Sequence, residues 1–262
     1  MTYLKAELDD VLALAKHRHT LRETYDSLAL HELVAPPPIR WDDATLAACD
    51  AAYHRWVAPG GNVLIPRDAA GVAPWIFLEY LVHHGGCLMH GSARDDIEVF
   101  EPRAAHDNLA DGDTAKVHAA SSGVTAIFYA IIDRPRLLEI PCVPAFSTVQ
   151  APREADGETR DGFWFVLDHR ALPYRPWRNG TVYVLPRAPF HDEHRGMQWS
   201  SPHPVQPLAR IHVGPDDFPL LEHVYGMDFA EDHRRSNAGI PGFPWRGDPA
   251  VYPDPRYRPP PL

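Results

Sequence analysis

Twenty-eight prolines among 262 residues constrain this chain more than any other feature of its sequence. Each proline fixes φ and removes a backbone donor, so helices and central strands must fit between them. They interrupt nearly every segment after Pro36. Long helices are therefore expected only at the front of the chain. There, Leu4, Leu8, Val11, Leu12, Ala15, Leu21, Tyr25 and Leu28 recur at spacings of three and four. This predicts a helical stripe over 3–33, broken near His19 and stopped by Pro36-Pro37-Pro38. A second helix is expected from Asp42 to Val57, with Asp42 or Asp43 as N-cap and Pro59-Gly60-Gly61 as its stop. The apolar run 75–84, closed by Gly85-Gly86, predicts a short buried helix.

From Cys87 the texture changes. Strands are expected at 87–90, 116–121, 163–168, 181–186 and 207–213, with a compact helix over 122–133 presenting Val124, Ile127, Phe128 and Ile131 on one face. The charged, glycine-containing stretch 151–162 reads as a loop. After Phe243 the chain is so rich in proline that extended backbone is expected. Helices followed by mostly antiparallel strands define an α+β class. The expected division is a helical N-terminal layer (1–86), a core (87–225) and a Pro-rich tail (226–262).

Composition excludes several functional classes. The 25 Lys and Arg against 35 Asp and Glu, a net charge of −10, oppose broad phosphate-driven binding of nucleic acid. Local arginine clusters remain able to meet individual phosphates. No run of about 18 apolar residues is present, so no membrane-spanning helix is expected. The N-terminus lacks the pattern of a secretory leader. Three cysteines, Cys49, Cys87 and Cys142, do not make a disulfide framework and none lies in a nucleophile motif, so a reducing cytoplasmic setting is expected. His83-His84 and His191-Asp192-Glu193-His194 offer metal donors, but without a recognised metal spacing.

Three features occur in order: His90-Gly91-Ser92 at a strand end, His118 in a strand that opens a helix, and the acidic pair Asp192-Glu193. Together they resemble the mono-ADP-ribosyltransferase superfamily, chiefly the rifampin ADP-ribosyltransferases and, more remotely, the diphtheria-type toxins. Leu88-Met89-His90-Gly91-Ser92 resembles the strand that ends in the family's first catalytic histidine. Val117-His118-Ala119-Ala120-Ser121 resembles its second motif, with His118 where a tyrosine is usual, and Tyr129 falls where the toxins have a further tyrosine. Gly180–Leu185 with Ala188–Glu193 resembles the strand and acidic turn of the rifampin enzymes; Trp199-Ser200-Ser201 resembles the strand that follows. Other branches carry a glutamate directly before that strand, where this chain has Gln198. The resemblance covers residues 87–214 and implies an ADP-ribosyltransferase-type split antiparallel sheet under the N-terminal helical layer.

The resemblance implies an NAD-dependent enzyme that transfers ADP-ribose to an unidentified acceptor and releases nicotinamide. Cleavage of the nicotinamide–ribose bond passes through an oxocarbenium-like state that a carboxylate stabilises. That role falls to Glu193 or Asp192. His90 is expected at a ribose, Gly91 and Ser92 beside it, His118 and Tyr129 at the nicotinamide ring, and Arg94 and Arg103 at the pyrophosphate. Each has a plainer role open to it: a hydrogen-bonded strand end for His90, core packing for His118 and Tyr129, solvated charge for the acids and arginines. The alternatives at this level are a catalytically inactive member that binds a nucleotide or a protein, an NAD-using relative of the RNA 2′-phosphotransferases, and a metal-dependent hydrolase.

Overall fold

The structure, a computed structural model, describes residues 33–103, 115–155, 158–193, 198–231 and 234. The helical stripe expected over 3–33, the Pro-rich tail after Phe243 and His194 lie outside these residues, apart from Leu33, which is buried and not helical. Helix α1 (Asp43–Trp56) begins where Asp42 accepts a hydrogen bond from the Thr45 amide at 2.8 Å, and the left-handed Gly60 and Gly61 follow its end. Strand β1 (Val63–Ile65) leads to α2 (Pro74–His83), which carries proline in its first turn, where no amide donor is needed. Strands β2 (Cys87–Ser92) and β3 (Val117–Ala120) flank a segment that is partly outside the described residues.

Helix α3 (Gly123–Ile131) starts at Ser122, whose hydroxyl accepts from the Thr125 amide. Its expected extent of 122–133 is too long. Ile132 is extended and bridges Trp177, and Asp133 caps a second short helix, α4 (Arg134–Glu139). The expected loop over 151–162 is also corrected. Strands β4 (Phe146–Ala155) and β5 (Glu158–Asp168) form one antiparallel hairpin paired from Phe146↔Leu167 out to Ala155↔Glu158. Strands β6 (Gly180–Pro186), β7 (His191–Asp192), β8 (Gln198–Ser201), β9 (Ala209–Val213) and β10 (Tyr225–Met227) complete the described strands.

Two sheets result. The larger has seven strands in the order β1-β9-β6-β2-β3-β8-β7, antiparallel except where β1 meets β9; the smaller has the order β10-β5-β4. The layer expected over 1–86 is thus not wholly helical, because Val63–Ile65 forms an edge strand of the main sheet. Residues of α1 and α2 share a single apolar cluster with α3, β6 and β9, so packing places no boundary at residue 86.

Helix α3 lies between the sheets. One side rests on the large sheet at two glycines: a Cβ at Gly91 would stand 1.9 Å from the Ala126 carbonyl oxygen, and one at Gly180 2.1 Å from that of Ala130. Its other side places Phe128 against Phe165 of the small sheet, ring centroids 4.7 Å apart. From α2, the buried Glu79 accepts hydrogen bonds from the Ser122 hydroxyl and the Val124 amide, each at 3.0 Å, and so satisfies the first turn of α3. α3 is thereby fixed over β2.

Candidate functional site

The sequence-selected residues fall on neighbouring strands of the large sheet, β2-β3-β8-β7. Alternation along β3 buries Val117 and Ala119 in a small cluster with Phe100 and Tyr183 and leaves His118 half-exposed on the opposite face. The register pairs His118 with Ser200, and the amide of Glu193 donates to the Gln198 carbonyl at 3.0 Å. His118, Gln198, Ser200 and Glu193 therefore share one face, which is also the face that receives α3 on Gly91. Asp192, paired with Trp199, projects from the other face and lies in β7 rather than in a turn. Of the two acids, only Glu193 is brought to His118.

β2 and β3 pair only at Met89↔Ala120 and then part. In the parting, the His90 ring nitrogen Nδ1 lies 2.7 Å from the His118 carbonyl oxygen. A carbonyl can only accept, so Nδ1 carries the proton and Nε2 keeps its lone pair. Desolvation is the largest influence on this ring and pulls its pKa down; the charges of Arg134 and His118 pull the same way, against the bond to the His118 carbonyl. The ring rests on Phe100, centroids 4.5 Å apart. His118 has the opposite polarity. The Gln198 side-chain amide donates to its Nδ1 at 3.1 Å, which leaves Nε2 to carry the proton. One imidazole thus offers an acceptor and the other a donor.

Glu193 is one-fifth exposed, and its Oε1 accepts from both the Lys116 ammonium and the Ser200 hydroxyl. Oε2 has no hydrogen-bond partner among the described residues. Desolvation, the largest single influence, raises the pKa of this carboxyl. The hydrogen bonds from Lys116 and Ser200, with the charges of Lys116 and His118, outweigh it and leave the group below the usual carboxylate range. It is a held anion with one oxygen available.

The remaining selected residues take other places. Gly91 lacks a Cβ because α3 occupies that space, which is a packing reason for the glycine. The Ser92 hydroxyl accepts from the Arg94 amide at 3.1 Å. The Arg94 guanidinium forks onto Asp96 at 2.8 and 3.0 Å on the exposed surface, and Arg103 pairs through its backbone with Lys116 while its side chain is exposed. Tyr129 is on the His118 side of the sheet, its ring against Phe128 and Phe146 and its hydroxyl 3.5 Å from that of Thr148.

Lys116, which holds Glu193, and Arg134, whose charge reaches His90, were not singled out in the sequence, and Gln198 figured only as a departure from the family pattern. No motif marks any of the three, because their places depend on strand register and on where α3 ends.

Metal and thiol chemistry find little support in the side chains. Among the described residues, no three His, Cys, Asp or Glu side chains gather as metal ligands. His83 lies 3.3 Å from Glu79, and His84 packs on Trp41 and Tyr80. Burial pushes the thiols of Cys87 and Cys142 up to about 11. Two surface concavities of about 660 and 350 Å³ involve none of these site candidates; the larger is walled mainly by Pro186, Pro189, Pro204 and Pro207 and holds no ionisable side chain.

The fold and site define a mixed α/β protein with a large, mostly antiparallel sheet, few helices, and polar side chains on adjacent strands, His118, Gln198 and Glu193 on one face and His90 on the other. No helix among the described residues is long and apolar enough to cross a membrane. Comparison of the chain with protein-family models, curated proteins and solved structures finds no match.

Proposed function

We propose that the protein transfers ADP-ribose from NAD to an acceptor nucleophile and releases nicotinamide, on an ADP-ribosyltransferase-type split sheet. The observation that carries this reading is the held Glu193 anion, with one oxygen available, on the face of His118, with His90, an imidazole of the opposite hydrogen-bonding polarity, bonded to the His118 carbonyl. His90 Nε2, the acceptor of the pair, would take a hydrogen bond from a ribose hydroxyl. The two rings project from opposite faces, so a ligand that meets both would have to enter where β2 and β3 part.

In the reaction, the bond from ribose C1′ to the nicotinamide nitrogen breaks and its electron pair neutralises the pyridinium. The acceptor forms a new bond at C1′ and gives up its proton to solvent. Positive charge develops on the ribose between these events. Glu193 Oε2, accepting from the ribose 2′-hydroxyl, would bind that charge more tightly than it binds ground-state NAD, which lowers the barrier. The half-exposed His118, with Tyr129 on the same side of the sheet, would border the nicotinamide ring.

A second reading has its own observation. Lys116 neutralises Glu193, and Gln198 stands where other branches of the resembled superfamily carry a glutamate, so the site would also suit nucleotide binding without turnover. Glu193→Gln separates the two. The transferase reading expects nicotinamide release to fall at least about a hundredfold, the loss of a dominant electrostatic contact, while NAD affinity is kept. Binding by the wild type with no release in either protein would favour the second reading.

A further inference from the structure

We propose that Arg134 holds a phosphate of the ligand that occupies this site, the place the sequence offers to Arg94 and Arg103. This deepens the NAD reading and rests on it for the identity of the ligand. The position follows from α3. Ala130 abuts Gly91, whose missing Cβ would fall 2.8 Å from the Ala130 amide nitrogen, so the end of α3 delivers the chain beside the main chain that carries His90. Arg134 stands three residues beyond the last residue of the helix, as the first of α4.

Its guanidinium lies over the Phe146 ring, 5.1 Å from the centroid, and Phe146 in turn meets Tyr129 with centroids 5.7 Å apart. A guanidinium resting on an aromatic face keeps its edge donors directed outward, in the fork that fits a phosphate. Arg94 is engaged with Asp96, and Arg136 with Glu139. Arg134 has no carboxylate partner among the described residues, and its charge reaches His90, whose pKa it lowers. In a chain of net charge −10, an anionic ligand needs such an uncompensated cation at its site.

The test is calorimetric binding of NAD, ADP-ribose, inorganic pyrophosphate and phosphate-free nicotinamide riboside to the full chain, its Arg134→Met and its Arg134→Lys variant, at two salt concentrations. Met keeps an apolar stem on Phe146, so the melting temperature should hold. Arg134→Met should weaken NAD and ADP-ribose roughly ten- to hundredfold, as expected for a lost charged hydrogen bond, and flatten their salt dependence. Nicotinamide riboside should bind as before, and Lys should recover part of the loss. NAD affinity unchanged in Arg134→Met overturns the proposal while leaving the NAD reading intact. Wild-type binding of pyrophosphate and ADP-ribose, lost in Arg134→Met but without nicotinamide release from NAD, supports the phosphate site and removes the transferase. Failure of the wild type to bind any phosphate-bearing ligand overturns both.

Discussion

Replacing Gly91 by alanine should unseat α3. The added Cβ would stand 1.9 Å from the Ala126 carbonyl oxygen and 2.8 Å from the Ala130 amide nitrogen, both main-chain atoms of one helix with no rotamer to yield. Relief requires the helix and the strand to separate by at least about 1 Å, which disturbs packing toward both sheets and places the cost near the upper end of overpacking, about 3 kcal/mol. For a chain of this size that lowers the melting temperature by roughly 6–12 °C. Where the folded backbone tolerates it, exchanging glycine for alanine stabilises by about 0.4–1 kcal/mol, so even the sign of the effect is informative.

Gly180→Ala pushes on the same turn, at 2.1 Å from the Ala130 carbonyl oxygen. Once one alanine has lifted α3, the second meets less resistance, and the double variant should cost less than the sum by about 1 kcal/mol or more. Urea denaturation followed by circular dichroism measures all four corners of this cycle. A Gly91→Ala protein as stable as wild type, or full additivity in the double variant, would refute the account of how α3 is seated.

Three further outcomes follow from the same geometry. Lys116→Met removes one donor from Glu193, whose depressed pKa gives a stabilisation present above about pH 4.5 and lost as pH falls through the lower folded value. The variant should lose part of it, and any acid limb of activity governed by Glu193 should move to higher pH; an unmoved limb would show that Lys116 does not set the charge of that acid. His90, also depressed, should be neutral with its proton on Nδ1 at pH 6.5, and its share of stability should fade as pH drops below that value. Nitrogen NMR of the ring reads the tautomer directly, and an Nε2–H form would contradict it. Glu79→Ala strips an acceptor from the Ser122 hydroxyl and the Val124 amide at the start of α3 and should cost about 2 kcal/mol by denaturation. Glu79→Gln should recover part of that, since its amide oxygen can still accept.

What the sequence conveyed well was local. The cap at Asp42, the apolar run of α2 and the face of α3 formed by Val124, Ile127, Phe128 and Ile131 depend on neighbours within a turn or two, and the structure has them buried or capped as expected. The hairpin of β4 and β5 was hidden because its outer half is polar. Backbone pairing from Ala155↔Glu158 inward does not require apolar side chains.

Residue order singled out His90, His118 and Glu193 as candidates but not the faces they take. Whether Asp192 or Glu193 joins His118 depends on the pairing of β7 with β8, a shift of one residue that reverses every side chain. Lys116 reaches Glu193 across 77 positions and Gln198 reaches His118 across 80, contacts that no local pattern encodes. The glycine at 91, which the resemblance would give to the cofactor, is required by helix packing.

The most direct test of the transferase reading follows NAD and nicotinamide by mass spectrometry after incubation with the purified chain, with His90→Ala alongside. The account expects the wild type to consume NAD and release nicotinamide, and the variant, which loses the imidazole lodged between β2 and β3, to release little. NAD that is neither bound nor consumed by the wild type would contradict the account and leave the row of His90, His118 and Glu193 as a structural network.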